Sequence, residues 1–295
     1  MTPSLSVVVP VLNAGDTIGD LLHALAHQAG MPEDTEVIVV DNGSTDGTRD
    51  IVRSAGVTLL EESRRGPSPA RNRGSRAARG EVIAYTDADC VPTRRWLAAL
   101  THPFVDPAVV MTAGRTLSYQ PRTGAQRYIA ASPMRTVETS IDRPQFPFAG
   151  GGNVAIRRRH LLEVGGWAED MATAEDVDLC FRLQQRFGIR ILYVADAVAF
   201  HRDRETDEEL REQARRYGRG MARLYRSYPE HLAWGLRQRL ALVRTLVVRG
   251  ATPWCLAARR RLGSVPAEGL EYGRYQRMWT FAYWRGFFAE RRRPT

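Results

Sequence analysis

The chain has no lysine: all 42 of its basic side chains are arginine. Arginine grips phosphate through a planar fork of donors, although genome composition produces the same bias without a functional cause. No stretch of about 18 uninterrupted apolar residues occurs, so no membrane-spanning helix is expected. The start, Met1-Thr2-Pro3-Ser4, lacks the basic and apolar regions of a signal peptide, and a cytoplasmic location is the expectation. Cysteine is scarce. Cys90, Cys180 and Cys255 are odd in number, widely spaced and without histidines at zinc-ligand spacing, which argues against both a disulfide framework and a structural metal site. Also missing is a Gly-rich phosphate loop after the first apolar run, which argues against a dinucleotide oxidoreductase, a P-loop enzyme or a nucleotidyltransferase.

What is present suits a folded protein. The 295 residues are 43% hydrophobic and 25% charged, enough for a large domain with an appendage and unlike a disordered chain. The net charge of +9 is unevenly distributed. Residues 1–200 carry −2, with 21 arginines against 23 acidic residues, whereas residues 201–295 carry +11, with 21 against 10.

From residue 5 to about 113, short apolar runs alternate with amphipathic segments, and Leu5–Val9, Glu36–Val40, Thr58–Leu60, Val82–Thr86 and Val109–Ala113 read as strands. This pattern predicts an α/β fold with a mainly parallel central sheet flanked by helices. Ligands of such sheets collect at the carboxyl ends of strands. Three predicted strand ends are followed by polar or turn-forming residues: Pro10 to Asn13 after Val9, Asp41 to Ser44 after Val40, and Asp87-Ala88-Asp89 after Thr86. One shared pocket explains all three. Residues 114–148 lack regular periodicity and read as a mobile or partly ordered excursion near the site. Order resumes at Gly150-Gly151-Gly152-Asn153, with a strand over Val154–Arg157, helices over Arg158–Val164 and Glu175–Phe187, and strands over Ile191–Val194 and Ala197–Phe200.

Two aspartates one residue apart at a strand end can face one divalent ion, which suits Asp87 and Asp89 to holding a cation that bridges diphosphate oxygens. A bare D-x-D also arises from turn chemistry. Asp41 can accept hydrogen bonds from a base or ribose. Glycines 150–152 permit close backbone approach to a ligand or simply make a tight turn, with Gly151 and Asn153 as donor or acceptor contacts. Glu175 and Asp176 suit either a reacting site or the positive end of their own helix. His201, a lone histidine after a strand, reads by itself as a hydrogen-bonded structural residue. Arg71 pairs with the acidic site or a phosphate, or belongs with Arg73, Arg76 and Arg79 to a solvated helix face.

The segments Ser6–Asn13 (SVVVPVLN), Glu36–Thr48 (EVIVVDNGSTDGT), Ala70–Gly74 (ARNRG), Gly80–Tyr85 (GEVIAY), Thr86–Asp89 (TDAD) and Ala174–Leu179 (AEDVDL) together resemble family 2 glycosyltransferases in order and spacing. The resemblance implies a GT-A fold, a nucleotide-diphosphate sugar donor with UDP-sugar as the expected one, Mg²⁺ or Mn²⁺, and inversion at the anomeric carbon. Position by position, it implies a nucleotide-sugar site of Pro10, Asn13, Asp41, Arg71, Asp87, Ala88 and Asp89. It further implies a metal on Asp89, Asp87 and His201, and Asp176 as general base. Such a displacement needs a carboxylate opposite the leaving group to take the acceptor's proton.

The expected division is 1–204 as a GT-A catalytic domain, with nucleotide-sugar binding over about 1–113 and the acceptor-binding and catalytic part over about 114–204, followed by a helical extension over 205–295. Within it, Gln213-Ala214-Arg215-Arg216-Tyr217 resembles the Q-x-x-R-W element of processive members, with tyrosine for tryptophan. Arg216 is therefore a further contact candidate. That substitution, with no membrane-spanning segment, favours transfer of a single sugar. The acceptor stays open among glycan, lipid-linked, peptide and small-molecule classes. The basic, aromatic tail suits an anionic membrane surface at the inner face of the cell, or aromatics that pack on the catalytic domain, cover the acceptor site or join two subunits. Nucleic acid is not an expected partner. The competing reading is a non-catalytic basic protein that binds RNA or membrane and keeps a nucleotide-binding fold, and the intact acidic residues argue against it.

Overall fold

A computed structural model describes residues 4–133, 140–141, 147–232, 235–261 and 267–292. The elements run β1 (Leu5–Val11), α1 (Ile18–Ala26), β2 (Glu36–Asp41), α2 (Thr48–Ser54), β3 (Thr58–Glu61), α3 (Pro67–Ala77), β4 (Val82–Thr86), β5 (Cys90–Pro92), α4 (Trp96–Thr101), β6 (Met111–Ser118), α5 (Gly124–Ala130), β7 (Asn153–Arg157), α6 (Arg158–Glu163), α7 (Glu175–Phe187), β8 (Leu192–His201), α8 (Asp207–Ser227), α9 (Leu236–Arg261) and α10 (Ala267–Arg291). Contacts divide the chain into two compact units, residues 1–119 with 133–202, and residues 120–132 with 203–295.

The first unit holds a sheet in the order β3-β2-β1-β4-β7-β6-β8-β5. Strands β3, β2, β1 and β4 are parallel neighbours, as are β6 and β8. The pairs β4–β7, β6–β7 and β5–β8 are antiparallel, so the sheet is mixed on the side that follows the parallel half. Strand alternation divides the core in two. Val7, Val9, Val39 and Ala84 point to one face, where Leu21, Leu25, Val52, Trp96 and Leu100 from α1, α2 and α4 cover them. Val8, Ile38, Val40 and Tyr85 point to the other, under Ala70, Leu161, Leu179 and Leu183 from α3, α6 and α7. Each large side chain so buried contributes about 1.5–3 kcal/mol, which is why the valine-rich strands fold inward on both faces. Helix α3 comes close because Gly74 has no side chain: a Cβ there would meet Val8 at under 3.0 Å.

Several expectations are revised. The strand expected at 109–113 runs over Met111–Ser118 instead, and the two expected after residue 190 form one strand, β8, whose register with β6 shifts between Gly114 and Arg115. Such an irregularity bends a strand without ending it, and local periodicity reads the bend as a break. Strand β5 is too short to register as a pattern. In the 114–148 segment, β6 extends to Ser118 and α5 starts with a Thr123/Gln126 capping box, while residues 134–139 and 142–146 lie outside the described residues.

In the second unit, α8 begins with a Thr206/Glu209 capping box. It packs on α10 at glycine contacts, since a Cβ on Gly218 or Gly286 would lie under 3.0 Å from backbone of Tyr283 or Arg215. Tyr128 and Ile129 of α5, Leu210 and Ala214 of α8, and Tyr275 and Trp279 of α10 form its core. Tyr275 and Trp279 of the tail are thus internal to this unit. Glu290 is buried and binds Arg223 and Arg226. Among the described residues, no helix is long and apolar enough to cross a membrane.

Candidate functional site

The ends of β1 and β2 are tied together by side chains. Asp41, fully buried at the end of β2, accepts hydrogen bonds from the Gly43 and Ser44 N–H groups at 3.1 Å and from Arg49 Nε at 2.6 Å. Burial pushes its carboxyl up, but the bonds from Ser44, Arg49 and the backbone outweigh it and hold the group below the ordinary carboxylate range. Asn13 has a left-handed backbone, φ 49°; its N–H donates to Ser44 Oγ at 2.9 Å and its Oδ1 accepts from the Thr45 N–H at 2.8 Å. Pro10 is half-buried beside Val40. These contacts fix the loops after β1 and β2 against one another.

Beyond β4, Asp87 and Asp89 stand either side of buried Ala88, both half-buried. The chain then enters β5, whose Cys90 pairs with His201 at the end of β8. That pairing brings His201 to the two aspartates: one donor atom from each of the three residues lies within 4.8 Å of the others. Oδ1 of Asp89 is buried and accepts no hydrogen bond from the described residues, while His201 Nε2 stands 3.4 Å away. A carboxylate oxygen left without a hydrogen bond among an imidazole and a second carboxylate makes an oxygen-rich donor set that suits Mg²⁺ or Mn²⁺.

Arg71 links this cluster to α7. It is buried, donates from Nη2 to Asp87 Oδ1 at 2.8 Å and from Nη1 to Glu175 Oε1 at 2.9 Å, and lies 4.7 Å from the ring centre of Trp167. The solvated helix face considered for it is therefore not what forms. Helix α3 turns Ala70, Arg71, Gly74 and Ser75 inward together, and two carboxylates meet the guanidinium there.

The three glycines preceding β7 lie between these groups. A Cβ on Gly152 would lie under 3.0 Å from Asp87 Oδ2, one on Gly151 would meet Trp167 at 3.0 Å, and the Gly151 N–H donates to Asp176 Oδ2 at 3.3 Å. Asp176 is half-buried in the first turn of α7 and accepts the Val177 N–H at 2.8 Å. Burial raises its carboxyl and the neighbouring Glu175 adds to the effect; the Val177 and Gly151 N–H groups and Arg71 oppose them, leaving it pushed up to about 7. A carboxyl poised there can take up or release a proton near neutrality. Ala174, the residue before α7, holds a left-handed backbone, φ 66°.

Residues 6–165, more than half of the chain, match the model of a family described as glycosyl transferase family 2. The chain belongs to glycosyl transferase family 2. It is thus an enzyme of the glycosyltransferase class with a GT-A fold. Glycosyltransferase AglE of Haloferax volcanii is 29% identical over 231 residues, covering 76% of this chain and 74% of AglE. The pre-mycofactocin glycosyltransferase of Mycobacterium tuberculosis is 29% identical over 244 residues; 78% of this chain is covered, but only about half, 49%, of that protein. In structure, the chain is similar to the mannosyltransferase PcManGT from Pyrobaculum calidifontis in complex with GDP-Man and Mn²⁺, with a TM-score of 0.69, 24% identity, and coverage of 99% of this chain and 87% of that one.

One residue named from sequence has its side chain committed to the fold of this family 2 chain. Asn153 is buried: its Oδ1 accepts from Trp96 Nε1 at 2.8 Å and its Nδ2 donates to the Arg115 and Ala197 carbonyls at 3.1 Å, so its side chain braces β6, β7, β8 and α4. Arg216 is exposed on α8 of the second unit. Trp167 and Arg49 were not singled out from sequence. Trp167 follows Gly165-Gly166, both with left-handed backbones, and an aromatic behind such a turn was the available signal. Arg49 carried none, since an arginine in a helix's first turn is ordinarily solvated.

Proposed function

We propose that this family 2 enzyme transfers one sugar from a nucleotide-diphosphate sugar to an acceptor with inversion, using Asp176 as general base. The observation that carries the reading is the continuity of the cluster: Asp87, Asp89 and His201 on one side, Arg71 and the glycine turn between, and Asp176, raised to about 7, on the other. Asp41, Asn13 and Pro10 would receive the nucleoside. Asp89, Asp87 and His201 would hold Mg²⁺ or Mn²⁺, which when bound supplies Lewis-acid stabilisation of the leaving diphosphate. Arg71 orients Asp87 and keeps positive charge beside the phosphate end of the site. Asp176, ionised, takes the proton from the acceptor hydroxyl as that oxygen attacks.

The residue at 217 is tyrosine where processive members carry tryptophan, which supports transfer of a single sugar. UDP-sugars head the donor panel, and GDP-mannose belongs in it because PcManGT binds GDP-Man. The test is release of nucleoside diphosphate from that panel with Mn²⁺ or Mg²⁺, followed by the anomeric configuration of the product. Hydrolysis of one donor, abolished by chelator, is the expected result. No turnover of any donor, or full turnover in excess chelator, overturns the reading.

A further inference from the structure

Helix α9 presents an apolar ridge to solvent. Leu236, Leu240, Val243 and Val247 are 72%, 60%, 57% and 65% exposed, at spacings of four, three and four that put them on one side of a helix, whereas Leu242 on another side is buried. A row of branched aliphatics left in water is uncommon on a folded surface and marks a docking face. The exposed arginines Arg239 and Arg244 flank the ridge on either side at helical spacing. Between Leu236 and Arg261 there are seven arginines and no acidic residue. We infer that the Leu236/Leu240/Val243/Val247 ridge of α9 docks on an anionic lipid surface, with the side chains entering the acyl boundary and Arg239 and Arg244 meeting lipid phosphates.

Charge decides among occupants. A second copy offering the same face would set arginine against arginine without one carboxylate to answer it. Nucleic acid would satisfy the arginines but leave the aliphatic ridge with nothing to contact. A bilayer of acidic lipid meets both halves, as an amphipathic helix lying in the interface requires. The helix lies along the surface in this arrangement, since among the described residues no helix is long and apolar enough to cross a bilayer.

The test is co-sedimentation of the full chain with vesicles of phosphatidylcholine alone or doped with phosphatidylglycerol. Binding to the doped vesicles that weakens with added salt is expected, and the Leu240→Glu/Val247→Glu double variant should lose about tenfold or more of it. An Arg239→Gln/Arg244→Gln pair should lose about fivefold per arginine, and this purely surface change keeps the proposal falsifiable if the first variant misfolds. Circular dichroism and nucleotide-sugar hydrolysis, unchanged in both, control for folding. The proposal is overturned if neither vesicle binds the wild type, if binding ignores both variants, if the ridge variant abolishes a concentration-dependent dimer instead, or if single-stranded RNA displaces the vesicles while the ridge variant binds RNA as wild type does.

Discussion

Gly152 and Asp87 are sterically matched: a methyl group on the glycine would lie under 3.0 Å from Oδ2 of the aspartate. The neighbour is the end of a side chain rather than backbone, so the fold can yield where the site cannot. Gly152→Ala should shift the melting temperature little and reduce Mn²⁺ affinity and donor turnover by about tenfold or more. Mn²⁺ titration by electron paramagnetic resonance beside a thermal melt checks this; unchanged metal affinity would detach Gly152 from the site.

Asp89→Ala should abolish metal-dependent turnover, a loss of at least about 10²-fold, with the fold intact. Oδ1 of Asp89 has no hydrogen bond to lose among the described residues, so its removal costs the protein little. In the wild type, Mn²⁺ should raise the melting temperature by binding only the folded state. Differential scanning fluorimetry with and without Mn²⁺ should show that rise in wild type and not in the variant.

Asp176→Asn should retain donor affinity and lose about 10²–10⁴-fold in transfer rate, since the amide keeps the shape and cannot accept a proton. With the carboxyl at about 7, wild-type kcat/KM should climb as pH rises through that value and level above it, and the variant should lack this limb. Stability should carry the same signature with a defined sign. The folded-state value is raised above the ordinary 3.8, so ionisation weighs against the fold as pH climbs from about 4 to about 7. The donor-free variant should therefore gain on wild type above pH 7 and not below 4. A variant within threefold of wild-type transfer would reassign Asp176 to the helix end.

Arg71→Met should cost about 3–5 kcal/mol in urea unfolding, because Asp87 and Glu175 would face one another with no cation between them. Arg71→Lys keeps the charge but not the fork that reaches both carboxylates, and should fall between the two. A loss below about 1 kcal/mol for the methionine variant would mean the carboxylates relax apart, contrary to a rigid bridge.

Much of this was legible along the chain. Runs such as Val7–Val9 and Val37–Val40 are apolar at every position because both faces of their sheet are covered, and the polar residues after them mark strand ends; these are local facts that composition and period carry. The D-x-D and the acid pair opening α7 were likewise visible. Local pattern could not give the antiparallel pairing of β5 with β8 that brings His201 to Asp89, because β5 is three residues long and its partner is remote in sequence. Nor could it turn Arg71 inward or Asn153 into the sheet, since both outcomes depend on which distant groups arrive to satisfy their donors. The sequence by itself determined which residues could do chemistry and on which strand ends they stand. Tertiary structure alone decided which of them meet, because a buried charge or amide is tolerated only where partners from other elements complete its hydrogen bonds.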